Sequence, residues 1–238
     1  MIRLGKKKLS RFRELEAFDR VFQPPFEEVF QKDHPLKGRW KEKVFRNDHP
    51  LVLELGCGRG EYTVGLARLH PGKNYLGLDI KGARIWRGAR TAHEENIMNA
   101  AFLRTRIECI GSFFAGGEVE EIWITFPDPQ TKERRKKKRL TSSLFLNRYR
   151  EFLTDMGNIH LKTDNAALYA YTRDLLAYNH LPVVRCTDDL YRTGWKDESV
   201  TIRTTYESRF LAEGSPIRYI QFRLPSASEI KEIHDGHR

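Results

Sequence analysis

The stretch Leu51-Val-Leu-Glu-Leu55 runs straight into Gly56-Cys-Gly58-Arg-Gly60, and no other junction in the 238 residues constrains the fold as tightly. A short apolar run closed by glycines reads as a buried strand and its turn. The theme then repeats. Residues 61–70 have helical spacing through Tyr62, Leu66 and Leu69, residues 74–79 predict a second strand, and 81–95 a second helix. Further strands are expected at 101–104, 121–126 and 158–162, with helices at 142–152 and 166–179. Strands alternating with helices at this spacing build βαβ units on a parallel sheet, so the chain is of the α/β class. The end differs: 204–213 predicts a helix stopped by Gly214, and 217–224 alternates as a late strand does.

Length suggests one domain with an extension. Residues 1–35 read as a basic, partly mobile N-terminal arm, 36–49 as a short helix or connector, and 36–238 as a single domain. Hydrophobic residues make up 39% and aromatics 11%, enough for a packed core. The net charge of +10 is local: Arg3, Lys6, Lys7, Lys8, Arg11 and Arg13 crowd the start, and 132–139 reads K-E-R-R-K-K-K-R. Each stretch carries +6, more together than the whole chain, so the body is close to neutral. Charge concentrated this way suits an extended polyanion such as nucleic acid. No run approaches the ~18 apolar residues of a membrane helix, and the N-terminus lacks the apolar core of a secretory signal. Cys57, Cys109 and Cys186 are odd in number and widely spaced. That pattern argues against a disulfide framework and a zinc site, and fits a reducing cytoplasm.

The glycine turn selects among ligands. Gly56, Gly58 and Gly60 let the backbone approach a bound molecule, and Asp79, ending the next strand, suits a pair of ribose hydroxyls. A dinucleotide would place its pyrophosphate at the following helix start, where Glu54 and Glu61 repel it. S-adenosylmethionine carries no phosphate, and its ammonium and sulfonium groups favour carboxylates. The residues therefore point to a methyl donor, against the plain alternative of a packing turn without a ligand.

A second constellation, Thr125-Phe-Pro-Asp128-Pro-Gln130-Thr-Lys132, follows a strand and leads into the basic run. Ligands of open α/β sheets bind beyond the carboxyl ends of the strands. Two prolines restrict the backbone around Asp128, which suits a positioned carboxylate and equally a rigid turn. The basic run suits phosphates, and by itself reads equally as a localisation signal or a solvated loop. His160, Lys162 and Asp164 end a strand on the same side; His160 reads as a packed histidine, Trp123 and Phe126 as core.

Taken together, these residues resemble the tRNA (guanine-N7-)-methyltransferase family. The resemblance spans residues 50–224 and is carried by E-L-G-C-G-R-G-E-Y (54–62), G-L-D (77–79), F-P-D-P-x-x-K (126–132), R-L-T (139–141), H-L-K-T-D (160–164) and T-x-Y-E-x-R-F (204–210). It implies a Rossmann-like methyltransferase fold: a mostly parallel seven-stranded sheet, an antiparallel last strand and helices on both faces. It implies methylation of guanine N7 in the variable loop of tRNA; from the sequence no metal or membrane is expected, and no obligatory protein partner is evident. Glu54, Gly56, Gly58, Gly60 and Asp79 are expected to contact S-adenosylmethionine, with backbone near Arg106 and Ile107 serving its adenine, and Asp128 is expected at the catalytic centre and in contact with the cofactor. Lys132, Asp164, Thr204, Tyr206 and Glu207 are expected to handle the target nucleotide, and Arg135, Lys136, Lys137, Lys138 and Arg139 the phosphates. Two departures stand out: Gln130 replaces a tryptophan of many members, and 103–108 has no acid at the place where many members carry one that meets the adenine. Guanine N7 is a lone-pair acceptor, so attack needs no general base. Placement of N7 and electrostatic stabilisation of the charged base carry the rate.

Overall fold

In the computed structural model, which describes residues 6–233, the chain begins as helix α1 (Lys6–Glu16). Residues 1–5, the outermost part of the expected arm, lie outside the described residues. Strand β1 (Val21–Phe22) and the one-turn helix α2 (Phe26–Val29) follow, then a single π turn at Lys41–Phe45 in the expected connector. Next come β2 (Leu51–Leu55), α3 (Glu61–Leu69), β3 (Asn74–Asp79), α4 (Gly82–Glu94), β4 (Ala100–Arg104) and a 3-10 segment at Ile107–Ser112. Beyond Phe113 lie β5 (Val119–Thr125), a 3-10 segment at Glu133–Lys138, α5 (Ser143–Arg150), β6 (Leu153–Thr163), α6 (Ala166–Tyr178) and β7 (Val183–Thr187). The chain closes with a 3-10 turn at Leu190–Arg192, α7 (Glu198–Thr201), α8 (Thr205–Ala212) and β8 (Arg218–Leu224). Contacts divide the described residues into two units, one ending at Phe113 and including Glu198–Ile202, the other formed by Phe114–Asp197 and the chain from Arg203 onward.

In the first unit β1 pairs with β4, β4 with β3 and β3 with β2, all parallel. All five residues of β2 are buried, as both-faces-covered parallel strands require. The register sets Leu55 beside Leu78 and Asp79 beside Arg104, so three strands end together and their loops share one edge. Helix α4 buries Ile85, Gly88, Ala89 and Ala92, a stripe at helical spacing. The arm is anchored here: Leu15 is fully buried, the Trp86 indole N–H donates to Glu14 at 2.8 Å, and Arg11 covers the Trp86 ring at 4.4 Å. Helix α7 packs on α3, where the Tyr62 hydroxyl donates to the Ser199 carbonyl and His70 meets the Ser199 hydroxyl at 2.7 Å.

In the second unit β5 pairs parallel with β6, and β8 lies antiparallel to both β6 and β7. The α/β class and the antiparallel last strand are thus both observed. The described residues hold eight strands where seven were expected. The arm supplies β1 by pairing Val21 and Phe22 with Phe102 and Leu103. Strand β6 is longer than its apolar centre at 158–162. Strand β7 gave no signal because Val183, Val184 and Cys186 are exposed and its residues do not alternate. No helix among the described residues is long and apolar enough to cross a membrane.

Candidate active site

At the shared strand edge of the first unit, the glycine turn folds back on β3: the N–H groups of Gly56 and Cys57 both donate to the Leu78 carbonyl, at 2.8 and 2.9 Å. Gly56 and Gly60 hold positive φ angles of 74° and 69°, a region that costs any L side chain. Their surroundings differ. A Cβ on Gly60 would lie 2.5 Å from the Phe102 ring and 3.1 Å from the Gly88 Cα, so Gly60 is the packing glycine that lets α4 approach the turn. A Cβ on Gly56 would meet nothing within 4 Å, and one on Gly58 only the Gly56 carbonyl at 3.9 Å. Those two glycines face open space, forming a cradle that side chains would fill.

Asp79 fixes the cradle's rim. One carboxylate oxygen accepts the Gly58 N–H at 2.9 Å and the other the Lys81 N–H at 2.7 Å. Each oxygen keeps a lone pair for a hydroxyl donor. Thr105 donates to the Asp79 carbonyl at 3.2 Å, which brings the 104–107 loop alongside. Arg106 is exposed and stacks its guanidinium 4.7 Å over the Phe26 ring, while Ile107 is half-buried.

Glu54 does something that spacing did not reveal. It is 3% exposed, and its carboxylate accepts both the Thr63 hydroxyl and the Thr63 backbone N–H, the latter at 2.8 Å. Thr63 is the third residue of α3, so Glu54 satisfies one of the orphan donors at that helix start. The place where a pyrophosphate would dock already holds the chain's own carboxylate. The donor set that remains, carboxylates and glycine backbone, suits a cationic ligand without phosphate. Cys57 is buried beneath the turn; burial, with Glu54 and Asp79 adding, pushes its thiol well up, so it is a packing group rather than a nucleophile.

The second unit carries the P-D-P loop. Phe126 donates its N–H to the Lys162 carbonyl at 2.8 Å, so the loop springs from the β5–β6 pair. Phe126 and Gln130 both have positive φ, 48° and 46°, which turns the chain sharply on either side of Asp128. The Phe126 ring stacks on Phe210 of α8 at 5.9 Å. Asp128 is exposed and accepts the Gln130 N–H at 3.0 Å, so its carboxylate is held facing solvent. Gln130 in turn accepts Arg139 at its carbonyl, 3.4 Å away. Asp164 is half-buried at the end of β6, its carbonyl tied to Arg218 at 2.7 Å.

The basic run is not one solvated face. Lys132, Arg135, Lys137 and Lys138 are exposed, as phosphate contact requires. Lys136 turns inward, donating to the Ile233 carbonyl at 2.9 Å beside Glu232, and Arg139 is 6% exposed with its guanidinium 4.3 Å over the Tyr171 ring. The reason is an inward-facing carboxylate: Glu232 accepts the Tyr171 hydroxyl at 2.8 Å and the Ser143 hydroxyl at 2.8 Å, and draws a cation to it. Nothing local in the run announces this.

The Thr204–Glu207 segment is likewise split, with Thr204 and Glu207 buried and Thr205 and Tyr206 exposed. Thr204 caps α8 by accepting the Glu207 N–H at 3.1 Å, and the Thr-x-x-Glu spacing is a legible capping signal. Glu207 is fully buried and grips the fully buried Lys162 at 2.8 Å, with the Tyr191 hydroxyl donating at 2.7 Å. Burial pulls the Lys162 ammonium below its usual range, and Glu207 opposes that. Tyr206, by contrast with Thr204 and Glu207, is 43% exposed. His160 is packed as expected: it stacks on Trp123 at 3.9 Å and shares a 2.6 Å hydrogen bond with Tyr219, and burial lowers its pKa. Among the described residues no group of three His, Cys, Asp or Glu side chains is arranged to hold a metal.

Comparison with known proteins agrees with this geometry. A solved 16S rRNA methyltransferase, KamB, superposes with a TM-score of 0.61 at 13% identity, over 83% of this chain and 98% of that one. A 16S rRNA (adenine(1408)-N(1))-methyltransferase from Catenulisporales acidiphilia gives 0.53 at 14% identity, over 86% and 99%. At such identities the likeness establishes the fold, Rossmann-like as expected. A family described as "Putative methyltransferase" matches residues 48–219. A tRNA (guanine-N(7)-)-methyltransferase of Bacteroides fragilis (strain YCH46) is 48% identical over 96% of this chain and 90% of its own. Proteins of the same name from Christiangramia forsetii and Porphyromonas gingivalis are 52% and 54% identical, covering 92% and 88% of this chain and 99% and 86% of theirs. By this extent of identity, the chain belongs to the tRNA (guanine-N(7)-)-methyltransferase family.

Proposed function

We propose that the protein transfers the methyl group of S-adenosylmethionine to N7 of a guanine in the variable loop of tRNA. The observation that carries the cofactor half is the glycine cradle, with its helix start already capped by Glu54. That arrangement supports a phosphate-free, cationic ligand over a dinucleotide. The substrate half is supported by relatives of that name at 48–54% identity. A related solved enzyme carries SAM as its cosubstrate, in keeping with the shared fold. We take 36–238 as one methyltransferase domain acting with the arm, in the cytoplasm; the family match, 48–219, covers parts of both units.

In this reading Gly56 and Gly58 line the cofactor with backbone and Asp79 accepts its ribose hydroxyls. Glu54 holds the turn in shape, and the backbone at Arg106 and Ile107 faces the adenine. When bound, S-adenosylmethionine supplies an electrophilic methyl group. Asp128, held toward solvent by the Gln130 N–H, stabilises the positive charge that develops on the guanine as N7 is alkylated. Lys132, Asp164 and Tyr206 handle the nucleotide, with Thr204 and Glu207 shaping α8 beneath Tyr206. Arg135, Lys137 and Lys138 hold phosphates.

The test is incubation with tRNA lacking the modification and labelled methyl donor, followed by nucleoside mapping. 7-Methylguanosine should form in the variable loop, and tRNA without that loop should not be methylated. Asp128→Ala should lower turnover by about 10²–10³-fold, the range for losing an electrostatic catalytic group. Label in another RNA but not in tRNA would overturn the substrate; unchanged turnover in the variant would overturn the role of Asp128.

A further inference from the structure

At the other end of β4 from Asp79 and Arg104, the first unit holds a cavity of about 500 Å³ between the arm, the π turn and the end of α4. That volume is in the range of small-molecule sites. Three cations line it: Arg20, Lys43 and Arg46. Lys43 is already engaged, paired with Glu42 at 2.7 Å. The two arginines are not. Arg20 donates only to the Met98 sulfur, at 3.0 Å, and its buried Nε has no hydrogen-bond partner among the described residues. Burial lowers its pKa; Asp19, which also lines the cavity, opposes that, and Arg46 adds to it. No ion pair to either guanidinium occurs among the described residues. Arg46 is set in place by a left-handed backbone, φ 57°, directly after the π turn, and both features recur where a site is built. Two guanidiniums repelling each other around a cavity, one with an orphaned donor, are the receptor half of an anion site, and their planar forks match phosphate oxygens. The rest of the lining is in part apolar and aromatic: the Phe18 and His93 rings lie 5.0 Å apart, and Ile97 and Met98 line the cavity too.

We propose that this cavity binds a nucleotide, its phosphate on Arg20 and Arg46 and its base against the Phe18–His93 wall. The nucleotide is either free or one unit of a bound RNA strand. The site is separate from the methyl-donor cradle and does not depend on it.

The test is calorimetric titration of guanosine monophosphate, with guanosine as the control lacking phosphate, into the full chain and into Arg20→Gln and Arg46→Gln. Guanosine monophosphate should bind the wild type, and guanosine at least about tenfold more weakly. Each variant should lose about tenfold in affinity, as loss of a charge-assisted hydrogen bond does. Unmodified tRNA that displaces the mononucleotide identifies the RNA strand as the source; binding of both together identifies a free nucleotide. A fall in tRNA affinity in Arg46→Gln without mononucleotide binding also supports the site, with RNA as its source. Equal binding of guanosine monophosphate to wild type and Arg46→Gln overturns the proposal. So does absence of mononucleotide binding together with unchanged tRNA affinity. Arg46 is exposed, so its variant serves if Arg20→Gln fails to fold.

Discussion

Replacing Glu207 by glutamine leaves the Lys162 ammonium fully buried with no counter-charge. Removing one partner of a buried ion pair costs about 3–5 kcal/mol. An independent bound agrees: holding a lysine of ordinary pKa 10.5 neutral at pH 7 costs about 5 kcal/mol at 1.36 kcal/mol per pKa unit. For a chain of this length each kcal/mol is about 2–4 °C in Tm, so the midpoint should fall by roughly 6–20 °C. The variant should also carry a pH signature. Its Lys162 is depressed in the folded state, so between that lowered value and 10.5 the unfolded chain binds more protons, and stability rises with pH. The slope reaches at most about 1.36 kcal/mol per pH unit. Scanning calorimetry from pH 7 to pH 9 should therefore show Glu207→Gln recovering stability relative to wild type. Combining Lys162→Met with Glu207→Leu should restore most of the stability, because apolar replacement of a whole buried pair is close to neutral. A Glu207→Gln midpoint within about 2 °C of wild type, with no relative rise toward pH 9, would refute the view of this pair as the clamp between β6 and α8.

The two glycines of the turn should separate cleanly. Gly56→Ala should remain folded, losing about 1–2 kcal/mol for the left-handed backbone, yet lose methyl-donor binding by calorimetry. Gly60→Ala should be the more destabilised, because its Cβ would sit 2.5 Å from Phe102. Neutralising Arg135, Lys137 and Lys138 should lower the slope of log K for tRNA against log salt by about 1 for each phosphate that is no longer neutralised. Lys136→Gln should leave that slope unchanged and lower Tm, since its ammonium is tied to the Ile233 carbonyl. His160, buried and lowered from 6.5, stays neutral in the fold while the unfolded chain protonates. Stability should therefore be lost as pH falls below 6.5, and His160→Gln should flatten that part of a Tm-against-pH curve.

The regular elements of the first unit were legible because each is written locally. Leu51–Leu55 is an apolar strand closed by glycine, and Ile85, Gly88, Ala89 and Ala92 follow one helical stripe. Strands β1 and β7 were not legible: two residues of pairing, or a strand with exposed valines, leave no period to read. Within the candidate site, the glycine turn and Asp79 could be read off their spacing, since backbone geometry dictates it. The P-D-P turn could be read as rigid, but Phe126 and Gln130 in left-handed backbone could not, since neither residue type announces that conformation.

The sequence by itself determined the α/β class, the strand edge where the glycine cradle lies, and the chemical type of residues such as Asp79 and Asp128. These depend on periodicity and short-range spacing, which survive in one dimension. Only the tertiary structure decided where each charge is directed. Glu54 caps a helix nine residues away, Glu207 neutralises a lysine 45 residues distant, and Lys136 reaches the Ile233 carbonyl 97 residues on. A buried charge must find a partner wherever the fold brings one. Two lysines in one basic run, Lys136 and Lys137, can therefore have opposite roles, one inside the protein and one facing solvent.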